Sequence, residues 1–304
     1  MLVPMKQLLL KAQKGRYAVG AFNINNMEVF QAVVNASRKL KSPVIIQTSE
    51  GAINYAGLDI LYHIASIVKE MPDVKASLHL DHGKDLDLIK KCVNIGYTSV
   101  MIDGSHFRFW DNIKITKKVV EFAHKKGVSV EGELGTIGGA EDLVSSRKII
   151  YTDPNAAKEF VEQTGVDALA VAIGTSHGAY KFEDAAKLDI ERLKLIHSRV
   201  KIPLVLHGAS GVPSWLVSLA SKYGAKLGKP EGVPDQQIKE AIKNGVCKIN
   251  TDTDLRLAFD AAVRKTITEH PEDFDPRHIL GPARDLIQQV VEARMRLFGS
   301  VNKK

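Results

Sequence analysis

The segment "ASLHLDHGKDLDLIKKCVNIGYTSVMID" (residues 76–103) contains one complete repeat of the predicted fold. Two short apolar runs, 76–81 and 98–103, have the length and composition of buried strands. Between them, residues 85–96 space their apolar side chains as an amphipathic helix does, and they end at Gly96, a residue suited to a helix C-cap. A strand, a helix and a second strand in this order predict a β-α-β unit with parallel strands.

The same alternation continues along the chain. Amphipathic segments such as 27–40 ("MEVFQAVVNASRKL") and 110–126 ("WDNIKITKKVVEFAHKK") separate the apolar runs. Eight strands are predicted, at residues 17–24, 43–49, 76–81, 98–103, 128–133, 168–174, 203–208 and 246–250. Eight such units predict an α/β fold, a closed (β/α)8 TIM barrel. A doubly wound open sheet is the alternative, but no GxGxxG motif follows the first strand.

The length of the chain suits one large domain. Barrels of about 250 residues form single domains, and this chain has 304 residues. Two helical stretches, 254–270 and 282–299, exceed what the barrel needs, and we expect them to form a packing lid or a subunit contact. The prediction is therefore a single TIM-barrel domain over residues 1–304 with additional C-terminal helices at about 254–300.

Composition argues against several classes of protein. No apolar run reaches the roughly 18 residues of a membrane span, and the N-terminus lacks a signal-peptide layout. The net charge is +7, but no block of five basic residues occurs, so nucleic acid is not an expected partner. The two cysteines, Cys92 and Cys247, have no metal-type spacing and indicate a reducing compartment. We therefore expect a cytoplasmic protein that binds neither membrane nor nucleic acid.

Three histidines follow three different predicted strands, each directly before a glycine: His82, His177 and His207. In a barrel, the C-terminal ends of the strands meet at one rim, where active sites lie. A single His-Gly pair is more typical of a turn, but three imidazoles at one rim can hold a zinc-like ion and leave one position open. A structural zinc site would favour a closed set that includes cysteine. The pattern therefore predicts a catalytic metal site.

The last two predicted strands end in the loops "HGASG" (207–211) and "NTDTD" (250–254). In barrels, the loops at these two positions often bind phosphate through backbone N–H groups and small hydroxyls. The candidates are Ser210, Thr253 and the amides around Gly208 and Asp252. Either loop alone is equally typical of a helix N-cap. Together, beside a metal site, the two loops favour a phosphate site.

Asp81 directly precedes His82 at the end of the third strand. Alternation along a strand predicts that the two side chains point in different directions, which favours a base over a further metal ligand. An acid beside a metal-bound substrate can move protons on and off oxygen. The alternative is a carboxylate that orients a histidine ligand.

Five motifs together resemble the metal-dependent, class II fructose-1,6-bisphosphate aldolases. They occur in the family's order as "HLDHG" (79–83), "VEGELGTIGG" followed by Glu141 and Asp142 (130–142), "GTSHGAYK" (174–181), "LVLHGASG" (204–211) and "KINTDTDLR" (248–256). The resemblance covers nearly the whole chain, from "AVGAFNINN" to "DPRHILGPARD". Tagatose-bisphosphate aldolases share most of these motifs, but "NTDTDLR" is more similar to the fructose-bisphosphate branch.

The resemblance implies a zinc-dependent aldehyde-lyase that needs no Schiff-base lysine. His82, His177 and His207 would hold one catalytic Zn²⁺, which acts as a Lewis acid on the substrate carbonyl. Asp81 would exchange the proton of the carbon 4 hydroxyl. Glu141 matches the acid of a mobile loop, which would handle the other proton of the reaction.

The family's remaining functional positions map onto further residues of this chain. Asp103 and Glu133 match a second metal position of some members, and a monovalent cation is left open as a further cofactor. The resemblance also implies a homodimer or homotetramer, and Arg256 matches an arginine that reaches the second phosphate, in some members from a neighbouring subunit. The positions that match phosphosugar contacts are Asn23, Ser49, Gly178, Lys181, Gly208, Ser210, Asn250, Asp252, Thr253 and Arg256.

Three other functions remain open. A metal-dependent hydrolase on the same barrel would need the HxH pair usual on the first strand, which this chain lacks. A non-catalytic phosphosugar-binding protein would retain the two loops but would not need Asp81 or the three histidines. A tagatose-1,6-bisphosphate aldolase is the closest alternative, because its substrate differs from the fructose ester only in the stereochemistry at one carbon.

Overall fold

The structure, a computed structural model, describes residues 1–141, 144–146, 149–177, 187–227 and 230–304. Its strands are β1 (Val19–Asn23), β2 (Val44–Ser49), β3 (Ala76–Gly83), β4 (Ser99–Ile102), β5 (Ser129–Leu134), β6 (Gly138–Glu141), β7 (Val144–Ser146), β8 (Ala168–Val171), β9 (Ser176–His177), β10 (Leu204–Leu206) and β11 (Val246–Thr251). Eight of them close into a barrel in the order β1-β11-β10-β8-β5-β4-β3-β2. Every neighbouring pair in the barrel is parallel. The predicted (β/α)8 barrel is confirmed, and each predicted strand is present within a few residues at either end.

Helices surround the barrel and shield the outward side chains of its strands. They are α1 (Met5–Gly15), α2 (Met27–Leu40), α3 (Glu50–Ala56), α4 (Leu58–Ser66), α5 (Leu86–Ile95), α6 (Phe109–His124), α7 (Pro154–Thr164), α8 (Ile190–Arg199), α9 (Ser214–Lys222), α10 (Asp235–Lys243), α11 (Thr253–Glu269) and α12 (Pro276–Leu297), with a 3-10 turn at Ile67–Glu70. The main apolar core lies between strands and helices and includes Phe22, Leu78, Val130 and Phe160. This layer leaves the strand ends accessible for polar residues.

The first helix closes the N-terminal end of the barrel. The buried residues of α1 are Met5, Leu8, Leu9 and Ala12, which have the i, i+3, i+4 spacing of one helix face. They form a second apolar cluster with inward-facing residues of five barrel strands. The N–H of Val3 donates to the carbonyl of Ala76, the first residue of β3, over 2.8 Å. This contact places α1 at the end of the barrel opposite the predicted site.

The C-terminal helices belong to the layer around the barrel. Helix α12 packs against α2 and β1, and α11 packs against α12 and α9. Helix α12 thus packs over the barrel, and the expected subunit contact of these two helices stays a prediction. Helix α12 also begins earlier than predicted. The Asp275 side chain accepts the N–H of Arg277 as an N-cap, and Pro276 occupies the first turn, which leaves Pro282 inside the helix.

A small sheet, outside the barrel and not predicted from the sequence, joins two predicted site segments. Its order is β7-β6-β9, with β6 antiparallel to β7 and parallel to β9. The pairing of Gly139 with His177 brings the segment that ends at Glu141 next to β9. Within the described residues, none of the helices combines the length and the apolar character that crossing a membrane requires.

Candidate active site

Amide side chains surround the Asp81 carboxylate at the C-terminal ends of four adjacent strands. Asn23 Nδ2 and Gln47 Nε2 donate to Asp81 Oδ2 over 3.0 and 3.1 Å. Asn250 Nδ2 donates to Asp81 Oδ1 over 2.9 Å. Burial raises the pKa of Asp81, but the positive charge of His82 and other nearby cations outweighs burial, so the pKa lies below its usual value. The carboxylate is therefore ionised and held in one orientation.

An irregularity in β3 brings Asp81 and His82 into the same site. The register of β3 against β4 shifts between Leu80 and Gly83, and His82 has a φ of 48°, in the left-handed region. The ligand atoms of Asp81, His82 and His207 lie within 4.8 Å of one another. The predicted divergence of Asp81 and His82 is therefore wrong, because simple alternation does not hold across this irregularity.

The imidazoles of His82 and His207 face each other in the buried centre of the site. His82 Nε2 lies 2.8 Å from His207 Nδ1. The other nitrogen of each ring contacts a carboxylate: His82 Nδ1 lies 3.2 Å from Asp103 Oδ2, and His207 Nε2 lies 2.7 Å from Glu131 Oε1. Each carboxylate can accept a ring N–H, and a metal ion that displaces the proton shared between the two rings can bind the facing nitrogens.

A second group of possible ligands adjoins the first. His82, Asp103 and Glu133 also bring ligand atoms within 4.8 Å of one another. Glu133 Oε2 is buried and makes no hydrogen bond within the part of the chain that the structure describes. Burial and then the negative charge of Asp103 raise the pKa of Glu133 well above its usual value. A cation would offset the repulsion between the Asp103 and Glu133 carboxylates and would give Glu133 Oε2 a partner. The residues therefore fit a divalent metal.

Beneath the histidines, a buried ion pair holds Glu131 in place. Lys248 Nζ lies 2.9 Å from Glu131 Oε2, and both side chains are fully buried. His79 Nε2 lies 3.6 Å from the same oxygen, and His79 Nδ1 lies 2.8 Å from Ser99 Oγ. Burial lowers the pKa of His79 well below its usual value, so this imidazole is neutral. Lys248 therefore holds the Glu131 carboxylate next to His207.

A cavity at the same rim joins four predicted substrate residues. Asn23, Asp252 and Arg256 line a space of about 250 Å³, and an adjoining space of about 220 Å³ adds Ser49. Arg256 Nη2 lies 2.6 Å from Asp252 Oδ2, and about half of the arginine side chain is exposed. Tyr55, whose side chain no pattern in the sequence indicated, lines both spaces. The cavity suits an anionic group that the arginine can reach.

The two predicted phosphate loops lie side by side. Ser210 Oγ accepts the N–H of Asp252 over 3.4 Å, which links the loop after β10 to the end of β11. Gly208 has a φ of 58°, and Thr253 is the first residue of α11. The N-terminus of a long helix therefore lies beside Ser210, an arrangement that favours anions.

Four predicted site residues are described only in part or not at all. His177 lies on β9 and Glu141 on β6, and the structure describes the backbone of each but not its side chain. Gly178 and Lys181 lie outside the described residues. The proposed roles of these four residues remain predictions.

Two polar residues of the site, Gln47 and Lys248, were not predicted. Both are fully buried on barrel strands. Each lies two residues before a predicted site residue on the same strand, Ser49 or Asn250, and a period of two places such pairs on one face. This spacing is the signal that could have identified them.

These features define a barrel with a buried cluster of histidines and carboxylates and an adjacent polar cavity. The chain matches the family described as "Fructose-bisphosphate aldolase class-II" over residues 3–303. It is 50% identical to a fructose-bisphosphate aldolase of Giardia intestinalis over 98% of this chain and 93% of that protein. It is 48% identical to a fructose-bisphosphate aldolase of Thermus caldophilus over the full length of both. The crystal structure of the YdjI aldolase from Escherichia coli K12 has a TM-score of 0.82 and 33% identity, covering 100% of this chain and 99% of that one.

The fold and the site are those of a metal-dependent barrel enzyme. The chain belongs to the class II fructose-bisphosphate aldolase family, over essentially its whole length. It is therefore an aldolase, a lyase that breaks carbon–carbon bonds, and its family implies a divalent metal ion. The family resemblance predicted from the five motifs is confirmed.

Proposed function

We propose that this protein catalyses the reversible aldol cleavage of fructose 1,6-bisphosphate to dihydroxyacetone phosphate and glyceraldehyde 3-phosphate. The observation that carries the proposal is the ionised Asp81 carboxylate, which three amides hold and which has an oxygen within 4.8 Å of a ring nitrogen of His82 and of His207. A fixed base beside a metal-ligand set suits proton transfer on a substrate oxygen better than it suits a passive binding site.

The metal ligands are proposed to be His82, His177 and His207, with Asp103 and Glu133 available for a second ion. The bound ion supplies Lewis-acid polarisation of the substrate carbonyl. Two imidazoles with facing nitrogens 2.8 Å apart support the assignment for His82 and His207. A three-histidine set favours zinc, and the need for a monovalent cation stays a prediction.

Asp81 is the proposed base for the hydroxyl proton at carbon 4. Three amide N–H groups donate to its two oxygens and fix the orientation of the carboxylate. A lone pair therefore keeps one direction while the substrate proton is taken up and returned. Because Asn23 and Gln47 bind the same oxygen, Oδ2, a change at either residue would alter the basicity of Asp81. Glu141 is proposed to handle the second proton of the reaction.

The two ends of the substrate are proposed to bind at two sets of residues. Asn23, Ser49 and Arg256 would bind the glyceraldehyde phosphate end, because they line adjoining spaces and include a half-exposed guanidinium. The dihydroxyacetone phosphate end would bind at the adjacent loops. Its proposed contacts are Gly178, Lys181, Gly208, Ser210, Asn250, Asp252 and Thr253.

We further propose that the chain is one domain, that it assembles as a homodimer or homotetramer, and that it is cytoplasmic. Contacts of α12 with α2 and β1 tie the C-terminus to the first barrel unit, which supports one domain. Cys92 and Cys247 are both buried free thiols, as expected in a reducing compartment.

Cleavage assays test the proposed reaction. Fructose 1,6-bisphosphate and tagatose 1,6-bisphosphate are each offered to the purified protein, with and without a chelator. We expect cleavage that favours the fructose ester, stops on chelation and returns when zinc is added. Activity that survives complete metal removal would contradict the metal assignment. A preference for the tagatose ester would contradict the substrate assignment, and no cleavage of either sugar would contradict the aldol reaction.

A further inference from the structure

Asp254, in the first turn of α11, binds the loop that follows β10. Its carboxylate is fully buried. Asp254 Oδ2 accepts the N–H of Gly211 over 3.2 Å, and Asp254 Oδ1 accepts the N–H of Val212 over 2.8 Å. One carboxylate therefore holds two consecutive amides of residues 207–213, which we call the β10–α9 loop.

Arg294, from α12, donates to the same carboxylate. Arg294 Nε donates to Asp254 Oδ2 over 2.8 Å, and Arg294 Nη1 donates to Asp235 Oδ1 over 3.0 Å. The guanidinium lies directly against the loop, because a Cβ atom at Gly211 would come within 2.1 Å of Arg294 Nη2. The buried ion pair thus joins α11, α12 and the loop at one point.

The conformation of the loop requires such support. Val212 is β-branched and has a φ of 45°, in the left-handed region that such residues rarely adopt. Backbone strain of this kind persists only where the surrounding structure enforces it. The hydrogen bond from the Val212 N–H to Asp254 enforces it directly, and the N–H of Val233 donates to the carbonyl of Ser210 in the same loop.

We propose that Asp254 and Arg294 are positioning residues that hold the β10–α9 loop in the conformation in which Ser210 and the loop amides receive a phosphate group. The inference rests on the proposed function, in which this loop binds the dihydroxyacetone phosphate end of the substrate. Neither residue touches the phosphate. Arg294 acts through Asp254, and Asp254 acts through the amides of Gly211 and Val212.

Binding of inorganic phosphate to the metal-loaded protein, measured by calorimetry, tests the proposal without requiring aldol cleavage. Arg294→Lys keeps the charge but loses the planar fork that bridges two carboxylates, and Asp254→Asn keeps the size but loses an acceptor. Small displacements of binding groups weaken binding strongly, so we expect each variant to weaken phosphate binding about tenfold. With fructose 1,6-bisphosphate, KM should rise by a similar factor while kcat changes less.

Matched controls lie on the same two helices. Arg296→Lys changes an exposed arginine of α12, 3.9 Å from Glu292, and Asp260→Asn changes a partly exposed aspartate of α11 that pairs with Arg264. Both controls should bind phosphate as the unchanged protein does.

Three results would overturn the proposal. The first is wild-type phosphate affinity in Arg294→Lys, even with a lower unfolding temperature, since that pattern shows a purely structural role. The second is an equal loss of affinity in the controls. The third is an unchanged protein that binds no phosphate. If no sugar is cleaved but phosphate binding still falls in Arg294→Lys and Asp254→Asn and not in the controls, the aldolase assignment fails and this inference stands. If Asp254→Asn does not fold, the result for Arg294→Lys alone decides the test.

Discussion

Asp81 and His82 are adjacent in the chain, yet their side chains meet in one site because His82 adopts a left-handed conformation at an irregular position of β3. Each residue is then fixed by different partners. Amides hold both oxygens of Asp81, and Asp103 lies 3.2 Å from His82 Nδ1. These different partners support different roles for the two residues, with Asp81 as the proton carrier and His82 as a metal ligand.

Asp81→Asn tests these roles. The amide keeps the shape of the side chain but cannot exchange the substrate proton, so we expect kcat to fall about 100- to 10,000-fold while the metal content stays unchanged. The measurements are steady-state kinetics and elemental analysis of the same preparation. Asp87→Asn, an exposed aspartate that pairs with Lys90, is the control and should retain full activity. Loss of the metal from Asp81→Asn would instead identify Asp81 as a ligand.

Helix α1 shows how one element contributes to the barrel without reaching the site. Its buried face packs against inward-facing strand residues at the N-terminal end of the barrel, whereas the site lies at the C-terminal end. The helix therefore contributes to stability, and catalysis depends on it only through the fold.

Two substitutions in α1, Leu9→Ala and Leu10→Ala, distinguish the effect of losing a buried side chain from the effect of any change in this helix. Leu9 is fully buried, whereas Leu10 is 45% exposed. Removing the Leu9 side chain leaves a cavity and should lower the free energy of unfolding by about 2–5 kcal/mol. Leu10→Ala should change it by less than about 0.5 kcal/mol. Urea titration followed by circular dichroism measures both variants, and kcat should be unchanged in each. Equal effects of the two substitutions would contradict the packing role of α1.

At the scale of the whole molecule, the C-terminal helices tie the ends of the chain together. Helix α12 contacts α2 and β1 from the first barrel unit, and Arg294 of α12 also reaches the β10–α9 loop. The helix therefore supports the barrel through its buried face. Large apolar side chains that are at least half exposed include Trp110, Trp215 and Phe274.

The mass of the protein in solution tests the proposed assembly. A homodimer or homotetramer should have two or four times the chain mass of 33.4 kDa. Light scattering coupled to size-exclusion chromatography measures this mass directly. The multiple should stay constant over a tenfold range of concentration, because stable homo-oligomers bury large apolar interfaces. A mass of one chain throughout that range would contradict the proposal.

The sequence by itself determined the barrel and the residue types at its rim. Strand and helix periods are local patterns, and eight β-α units leave few topologies, so residues such as Asp103 and His207 could be placed at strand ends without coordinates. The contacts across the barrel were decided only by the tertiary structure. The Glu131–Lys248 and Asp254–Arg294 pairs join residues 117 and 40 positions apart, and no local pattern encodes such pairing. The position of α12 and the shared site of Asp81 and His82 also depended on packing and on a backbone irregularity, which override simple periodicity.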